Sequence, residues 1–289
     1  MSSKGPVVAL VVATVLWSTG YVLSAWALAG ASPAVLSVSR FAVATAVVLP
    51  LAIRHGGLRA AILAPRYLLL AATGVTVYYS LANLSLLFTT AGTASLVAAC
   101  LPVLTVAGAR LFLGERVSVR TALGLTAATV GVMVASLTSW SMDGGVILNV
   151  LAMCSYAAYT LILRGNTHAR DSPITIAAVT GLWGSVFMLP WLIWEVASGS
   201  AVLTRDAFAP ILALALVVTG PTLVLFTYAA ERLPASMTGA AAAAIPPLGY
   251  LCALSSGETL MPLKAVGGLI ALAGVLVATL PTPRGIRRT

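Results

Sequence analysis

The sequence predicts an all-α polytopic membrane protein with ten transmembrane helices, arranged as two inverted five-helix repeats. Three observations lead to this fold class. Hydrophobic residues make up 60% of the 289 residues and charged residues only 8%, whereas a soluble domain contains roughly 25% charged residues. Ten apolar runs are long enough to cross a bilayer, and motifs of the first half return in the second. A surface so poor in charge requires lipid as its solvent.

The ten spans follow from length, because a spanning helix needs about 20 apolar residues. The first run, which begins just after Lys4, is too long for the core of a signal peptide and is interpreted as a membrane helix. The connections are too short to hold a soluble domain. The predicted spans are 6–28, 33–53, 67–88, 91–112, 118–137, 144–163, 173–194, 207–229, 235–254 and 262–280.

Basic residues predict the orientation of the chain. With the N-terminus inside, 13 of the 16 basic residues lie in inner segments. The outer loops hold only Arg205 and Lys264, and Arg40 lies within a span. Lys and Arg collect on the cytoplasmic side of membrane proteins. We therefore expect both termini in the cytoplasm, in a bacterial inner (plasma) membrane. The basic residues form no continuous face, so nucleic acid is not an expected partner.

Several motifs occur twice, in the same order. Ten spans divide into two halves of five, residues 1–139 and 140–289. Because five is odd, the second half must enter the membrane from the opposite side, which relates the halves by a pseudo-twofold axis in the membrane plane. The matched pairs are Ser32-Pro33 with Ser172-Pro173, Leu49-Pro50 with Leu189-Pro190, Leu101-Pro102 with Ile245-Pro246, Gly114-Glu115 with Gly257-Glu258, Gly124 with Gly267, and Gly131 with Gly274.

These motifs resemble those of a known family. Each half ends with a proline, then Gly-Glu, then two glycines at fixed spacing, and the first span contains Leu16-Trp17-Ser18-Thr19. The pattern is similar to the EamA-type ten-helix members of the drug/metabolite transporter superfamily, and within it to YddG-type amino-acid exporters. The resemblance covers nearly the whole chain. It implies a transporter of amino acids or similar small metabolites.

Polar and aromatic residues inside the spans are the candidate substrate contacts. In the first span Thr14, Trp17, Ser18 and Tyr21 share one helical face. Hydroxyl groups also serve as hydrogen-bonding contacts between membrane helices, so both interpretations stay open for Ser and Thr. We expect a central cavity with walls from helices one, three, four, six, eight and nine. The candidate substrate-binding residues are Trp17, Ser18, Tyr21, Arg40, Tyr78, Tyr79, Asn83, Tyr156, Tyr159 and Trp183.

Arg40 is the only charged residue well inside a span. An unpaired cation at that depth is costly, so it needs a backbone carbonyl, a helix C-terminus or a substrate carboxylate. Prolines inside spans remove backbone hydrogen bonds and either shape the bundle or act as hinges. The candidate gating residues are Pro102, Pro221, Pro246 and Pro247. Glycines of helices five and ten predict close packing of these two helices.

The predicted function is export of amino acids, aromatic or otherwise apolar, or of similar small metabolites, by alternating access. No carboxylate lies at mid-span, so a facilitated process is favoured over tight ion antiport. The expected partners are a small-molecule substrate and the lipid bilayer, and the protein is expected to be a monomer. No cofactor, metal or enzymatic activity is expected. The alternatives are a multidrug or cation exporter and a non-transporting protein, either a scaffold or a scramblase.

Overall fold

The computed structural model describes residues 4–55, 58–112, 114, 118–136, 144–164, 172–230, 232–233 and 235–279. Within these ranges the chain is helical, and the only strand-like pairing is an isolated bridge between Ala31 and Leu203. Of the residues discussed above, Glu115 lies outside the described ranges, as does the basic tail after Thr279.

The helices follow the predicted spans closely. Several helices begin with a proline, as at Pro65 and Pro173. Proline lacks a backbone N–H, and at the first position of a helix an N–H would have no partner within the helix. The helices are α1 (Lys4–Ser18 and Gly20–Leu28), α2 (Pro33–His55), α3 (Pro65–Ala71, Ala72–Val77 and Tyr78–Ser85), α4 (Ala91–Val97, Ala98–Cys100 and Leu101–Phe112), α5 (Val119–Ser136), α6 (Gly144–Arg164), α7 (Pro173–Ala197), α8 (Arg205–Ala213, Leu214–Thr219 and Gly220–Ala230), α9 (Ala235–Ser255) and α10 (Pro262–Thr279). A short helix, Leu58–Ala61, precedes α3.

Seven stretches of the described residues are long and apolar enough to cross a membrane. They fall in α1, α2, α3, α4, α6, α7 and α8, and the apolar stretches of α5, α9 and α10 are shorter. Large apolar side chains cover the outside of the bundle: Leu111, Phe112 and Val119 are each more than three-quarters exposed. An apolar exterior of this kind is stable in lipid and unstable in water. The count of ten spans remains a prediction.

α5 and α10 pack with their backbones in contact, as the glycine spacing predicted. A Cβ built on Gly131 would lie 2.6 Å from the Gly267 carbonyl oxygen, and one built on Gly274 would lie 2.5 Å from that of Gly124. As the residue number rises along α5 it falls along α10, so the two helices are antiparallel. Small residues permit this close approach.

The other contacts between helices agree with a duplicated fold, in which each helix of the first half corresponds to the helix five places later in the second half. α2 packs on α7 and α4 on α9, while α1 packs on α8 and, equivalently, α6 on α3. α2 and α7 are antiparallel, because Ser32 meets Glu195 at one end and Thr45 meets Gly181 further along. At two repeat-related positions a glycine follows the helix with a positive φ, 67° at Gly114 and 101° at Gly257. Glycine adopts this conformation without strain.

Candidate functional site

A cavity of about 100 Å³ lies among α1, α2, α3, α6, α7 and α8. A buried water needs roughly 10–15 Å³ on this measure, so the cavity admits several waters or a small solute group. α2 and α7 line the cavity where we expected α4 and α9, which pack against each other and contribute no lining residue. The lining residues are Trp17, Phe41, Ala44, Thr45, Val48, Gly74, Val75, Tyr79, Tyr156, Tyr159, Ala177, Thr180, Gly181, Thr219 and Gly220.

A chain of aromatic rings forms much of the cavity wall. The ring centroids of Tyr78 and Tyr79 are 4.6 Å apart, those of Tyr78 and Tyr156 are 4.8 Å apart, and those of Tyr156 and Tyr159 are 5.2 Å apart. Contacts at these separations are favourable between aromatic side chains. On the other side of the cavity, the Trp17 ring lies 4.9 Å from that of Phe226. The rings provide apolar surface and π faces in the middle of the bundle.

Arg40 lies in the wall directly behind this aromatic surface and is only 4% exposed. Its Nε donates a hydrogen bond to Thr219 Oγ1 at 2.8 Å, and its guanidinium carbon lies 4.7 Å from the centre of the Tyr79 ring. Both neighbours line the cavity. No carboxylate of the described residues forms an ion pair with Arg40. The contacts of its guanidinium include the Thr219 hydroxyl and the ring faces of Tyr79 and Phe41.

Two segments of π-helix border the cavity, and neither was predicted. Ala72–Val77 interrupts α3 and Leu214–Thr219 interrupts α8. Both have six residues, and they occupy corresponding helices of the two halves, since α3 of the first half corresponds to α8 of the second. Such segments are rare and frequently occur at functional sites. The second segment places Thr219, whose Oγ1 donates to the Leu214 carbonyl at 2.7 Å, beside Arg40.

Four of the predicted substrate-binding residues line this cavity: Trp17, Tyr79, Tyr156 and Tyr159. Tyr78 contacts two of them through its ring. Ser18, Asn83 and Trp183 are not lining residues. Ser18 Oγ donates to the Thr14 carbonyl and Asn83 Nδ2 to Ser37 Oγ, at 2.7 and 2.8 Å. Trp183 Nε1 donates to the Ile62 carbonyl at 2.5 Å. The Asn83 bond joins α3 to α2 and the Trp183 bond joins α7 to the turn before α3, whereas the Ser18 bond lies within α1. Substrate contact by the three residues remains a prediction.

None of the candidate hinge prolines lines the cavity. Pro102 follows the short 3₁₀ turn Ala98–Cys100, and Pro221 follows the π segment of α8. Pro246 and Pro247 lie inside α9, where the Pro246 carbonyl accepts a hydrogen bond from Ser95 Oγ at 2.7 Å. Their role in gating remains a prediction.

Two acidic residues bind helix N-termini at one end of the bundle. Glu195, at the end of α7, is 4% exposed and accepts hydrogen bonds from Ser32 Oγ at 2.5 Å and Ala34 N at 3.1 Å. Glu258, just after α9, accepts from Gly92 N at 2.9 Å. A carboxylate is favourable at the positive end of a helix dipole. Glu195 joins the start of α2 to α7, a role that its position near a loop did not reveal.

Within the described ranges, no group of three or more His, Cys, Asp or Glu side chains is placed to hold a metal ion. The three cysteines, Cys100, Cys154 and Cys252, are free thiols. The cavity lining is therefore described by its aromatic rings, its threonine hydroxyls and the nearby guanidinium.

These features define a multi-pass helical membrane protein with a partly polar internal cavity. The EamA-like transporter family model matches the chain twice, over residues 4–137 and 143–280. The chain belongs to this family, within the drug/metabolite transporter superfamily, which confirms the resemblance found in the motifs.

Relatives agree with this assignment. The chain is 32% identical over 282 residues to a probable terminal-alkyne amino-acid exporter of Streptantibioticus cattleyicolor, covering 93% of this chain and 91% of the relative. It is 25% identical over 185 residues to an uncharacterized transporter of Archaeoglobus fulgidus, covering 64% and 66% of the two chains. A crystal structure of a protein 18% identical in sequence superposes with a TM-score of 0.68 over 96% of this chain and 97% of that one. At that identity the likeness concerns the fold alone.

Proposed function

We propose that the protein exports amino acids or similar small metabolites with an apolar side chain across the bacterial inner membrane, by alternating access. The observation that supports this most directly is Arg40, a buried cation without a carboxylate partner in the described chain, one side chain away from an aromatic cavity. Its charge favours a solute with a carboxylate. In a water-poor interior this attraction is much stronger than in bulk water.

The proposed architecture is ten spans in two inverted halves, residues 1–139 and 140–289. The antiparallel pairs α2–α7 and α5–α10 support it, because helices related by an inverted repeat run in opposite directions. So does the occurrence of π segments at equivalent places in α3 and α8. The cavity then lies between the halves, where movement of one against the other would expose it alternately to the two sides.

The proposed orientation has both termini in the cytoplasm. It follows from the basic residues of the connections, 13 of 16 on one side of the predicted topology. In this orientation the Glu195 contact lies at the outer end of the bundle. The cavity reaches from the level of Trp17 and Thr219 towards Val48 and Ala177, in the inner half. A cytoplasmic solute would therefore meet it first, in keeping with export.

The aromatic wall and the small cavity volume favour a slender apolar side chain. The relative whose printed name refers to terminal-alkyne amino acids supports the same class of solute. On the lining, Gly74 and Gly181 let the side chains of Tyr159 and Thr45 approach the helix backbones, and Gly220 leaves room beside Val48. Oxygen acceptors are available from Thr45, Thr180 and Thr219.

The test is counterflow in proteoliposomes with each natural amino acid, with and without a pH gradient. Arg40→Gln should lower uptake of amino acids at least tenfold, since hydrogen bonds between charged groups contribute about 1.5–3 kcal/mol. Arg54→Gln, an exposed arginine at the other end of the same helix, is the matched control and should leave uptake unchanged. Absence of uptake for every amino acid with the unmodified protein would reject the proposal.

A cation or multidrug exporter is a second candidate, because the π faces of Trp17, Tyr79, Tyr156 and Tyr159 would also suit a quaternary ammonium ion. The nearby Arg40 disfavours it by repulsion. The same liposomes would distinguish the two functions: uptake of tetraphenylphosphonium that rises in Arg40→Gln would indicate a cation exporter.

A further inference from the structure

The aromatic wall of the cavity ends against the backbone of α3. The ring of Tyr159 lies so close to Gly74 that a Cβ built on Gly74 would be 2.7 Å from Tyr159 Cγ and 2.8 Å from Tyr159 Cε2. Ordinary van der Waals contact begins near 3.4 Å. Both residues line the cavity. Because Gly74 has no side chain, the ring lies back against the helix and leaves room in the cavity.

Neighbouring contacts hold this part of α3 in place. Ser155 precedes Tyr159 by four residues, on the same face of α6, and its Oγ donates a hydrogen bond to the Thr73 carbonyl at 2.7 Å. On α7, a Cβ built on Gly184 would lie 2.6 Å from Val75 Cβ. The π segment of α3 is therefore packed between α6 and α7, so it cannot move away from the ring without disturbing both helices.

Tyr159 lies at the opposite end of the aromatic wall from Arg40. The guanidinium carbon of Arg40 is 4.7 Å from the centre of the Tyr79 ring, and ring contacts lead from Tyr79 through two further tyrosines to Tyr159. Gly74, which contacts Tyr159, precedes Tyr79 by five residues, or about 7.5 Å along a helix. A solute whose carboxylate faces Arg40 can therefore extend its side chain along the rings towards Tyr159.

Protein also surrounds other sides of the Tyr159 ring. Its centroid is 5.2 Å from that of Tyr156. The ring also packs against a buried cluster that includes Tyr67, Leu70 and Val179. The cavity is the open side of the ring, so a ring displaced from α3 would move into the cavity and shorten it.

We propose that Tyr159 sets the length limit of the solute side chain, and that Gly74 is the positioning residue that fixes this limit. An aliphatic chain extending from Arg40 gains apolar contact with each added carbon, until its end meets the ring. A longer chain would have to displace a ring that is held by protein. The inference rests on the proposed function and specifies the solute class as amino acids with slender side chains up to a fixed length.

The experiment measures this limit with a series of straight-chain amino acids. Counterflow of radiolabelled leucine, or of the natural amino acid that ranks first in the screen, is competed with alanine, 2-aminobutyrate, norvaline, norleucine and 2-aminoheptanoate. Each added methylene should strengthen competition about fourfold, until the chain reaches Tyr159. The next longer competitor should then be weaker by at least about tenfold, and this step is the length limit.

Two substitutions should move the limit in opposite directions. In Gly74→Ala the new methyl group must push the ring by about 1 Å towards the cavity, so the limit should fall by one carbon. In Tyr159→Leu the ring is removed but an apolar side chain remains, so the limit should rise by at least one carbon. Because Tyr159→Leu introduces no clash, it tests the proposal even if Gly74→Ala does not fold.

The double variant separates movement of the ring from distortion of α3. When the ring is absent, Gly74→Ala should no longer change the limit, because the two residues act through one contact. Gly108→Ala on α4 is the matched control. A Cβ there would lie 2.5 Å from Leu161 Cδ1, also on α6, but neither residue lines the cavity. This control should leave the limit unchanged.

Three results would overturn the proposal. The unmodified protein could show no limit up to 2-aminoheptanoate, Tyr159→Leu could leave the limit where it was, or Gly74→Ala could lower it equally with and without the ring. Each of these requires that the unmodified protein exchanges amino acids. Failure of the proposed function is distinct, since no amino acid would then be exchanged at all.

Discussion

The crossing of α5 and α10 permits a stringent test at Gly131. A Cβ at this position would lie 2.6 Å from the Gly267 carbonyl oxygen, and ordinary van der Waals contact begins near 3.4 Å. The Ala271 backbone nitrogen lies closer still, so in Gly131→Ala the helices must separate by about 1 Å, because these obstacles are backbone atoms and cannot rotate away. Overpacking of this kind costs about 1–3 kcal/mol. The midpoint of thermal unfolding should fall by roughly 2–12 °C.

The assay is thermal unfolding in detergent, followed by near-ultraviolet circular dichroism. Gly144→Ala is the matched control, since a Cβ there meets nothing within 4 Å, and it should leave the midpoint unchanged. Gly274→Ala, the repeat equivalent of Gly131, should destabilise to a similar extent. Neither helix lines the cavity, so the counterflow rate per folded molecule should be retained. A stable Gly131→Ala protein with an unchanged midpoint would refute the backbone contact.

Three further predictions follow from single contacts. Gly220→Ala would place a methyl group in the cavity at an ordinary 3.7 Å from Val48 Cγ2. Because one methylene changes binding in an apolar pocket by 10–200-fold, competition by leucine should weaken about tenfold relative to alanine in counterflow, and equal weakening would contradict the lining. Glu195→Gln removes the charge at the α2 N-terminus and should lower the unfolding free energy by about 1–2 kcal/mol; an unchanged unfolding free energy would contradict a stabilising role for the carboxylate at that end of α2. Gly257→Ala forces a side chain into φ 101° and should cost about 1–3 kcal/mol in the same melting assay, whereas a cost near zero would disagree with that backbone.

Sequence patterns identified the helices and the close packing of α5 with α10. Both leave a signal within a single helix, an apolar run in the first case and a glycine spacing in the second. Apolar runs of about 20 residues locate helices without knowledge of their neighbours. The glycine spacing of α5 and α10 predicted close packing, since a stripe of glycines on one face has few other uses in a membrane helix. Among the mid-span aromatics proposed as site residues, Trp17, Tyr79, Tyr156 and Tyr159 line the cavity, whereas Tyr21, Tyr78 and Trp183 do not.

The remaining features depend on contacts between distant segments. A π segment arises when one extra residue is accommodated within a helix, and no residue type in Ala72–Val77 marks it. Pro210 and Pro221 lie on either side of the π segment of α8 and each removes a backbone donor, but neither residue type specifies a π turn. Glu195 looked like an ordinary loop acid because Ser32, its partner, is 163 residues away in the sequence. The hydrogen bond of Asn83 to Ser37 on α2 could not be predicted from the sequence, so a contact between helices and a contact with the cavity could not be distinguished for Asn83.

The two halves have a similar arrangement of helices but differ in the side chains that these helices carry. Exchange of the two halves relates the π segments to each other and one helix pair to another. The residue of α7 that corresponds to Arg40 of α2, when Ser172-Pro173 is matched with Ser32-Pro33, is Thr180, which lines the cavity. A second arginine there would bring two like charges to one small space, and each would disfavour the other. The two halves thus provide related backbones, while the difference at the lining leaves one arginine beside the described cavity. A single cation facing several aromatic rings is what a solute with one carboxylate and an apolar side chain requires.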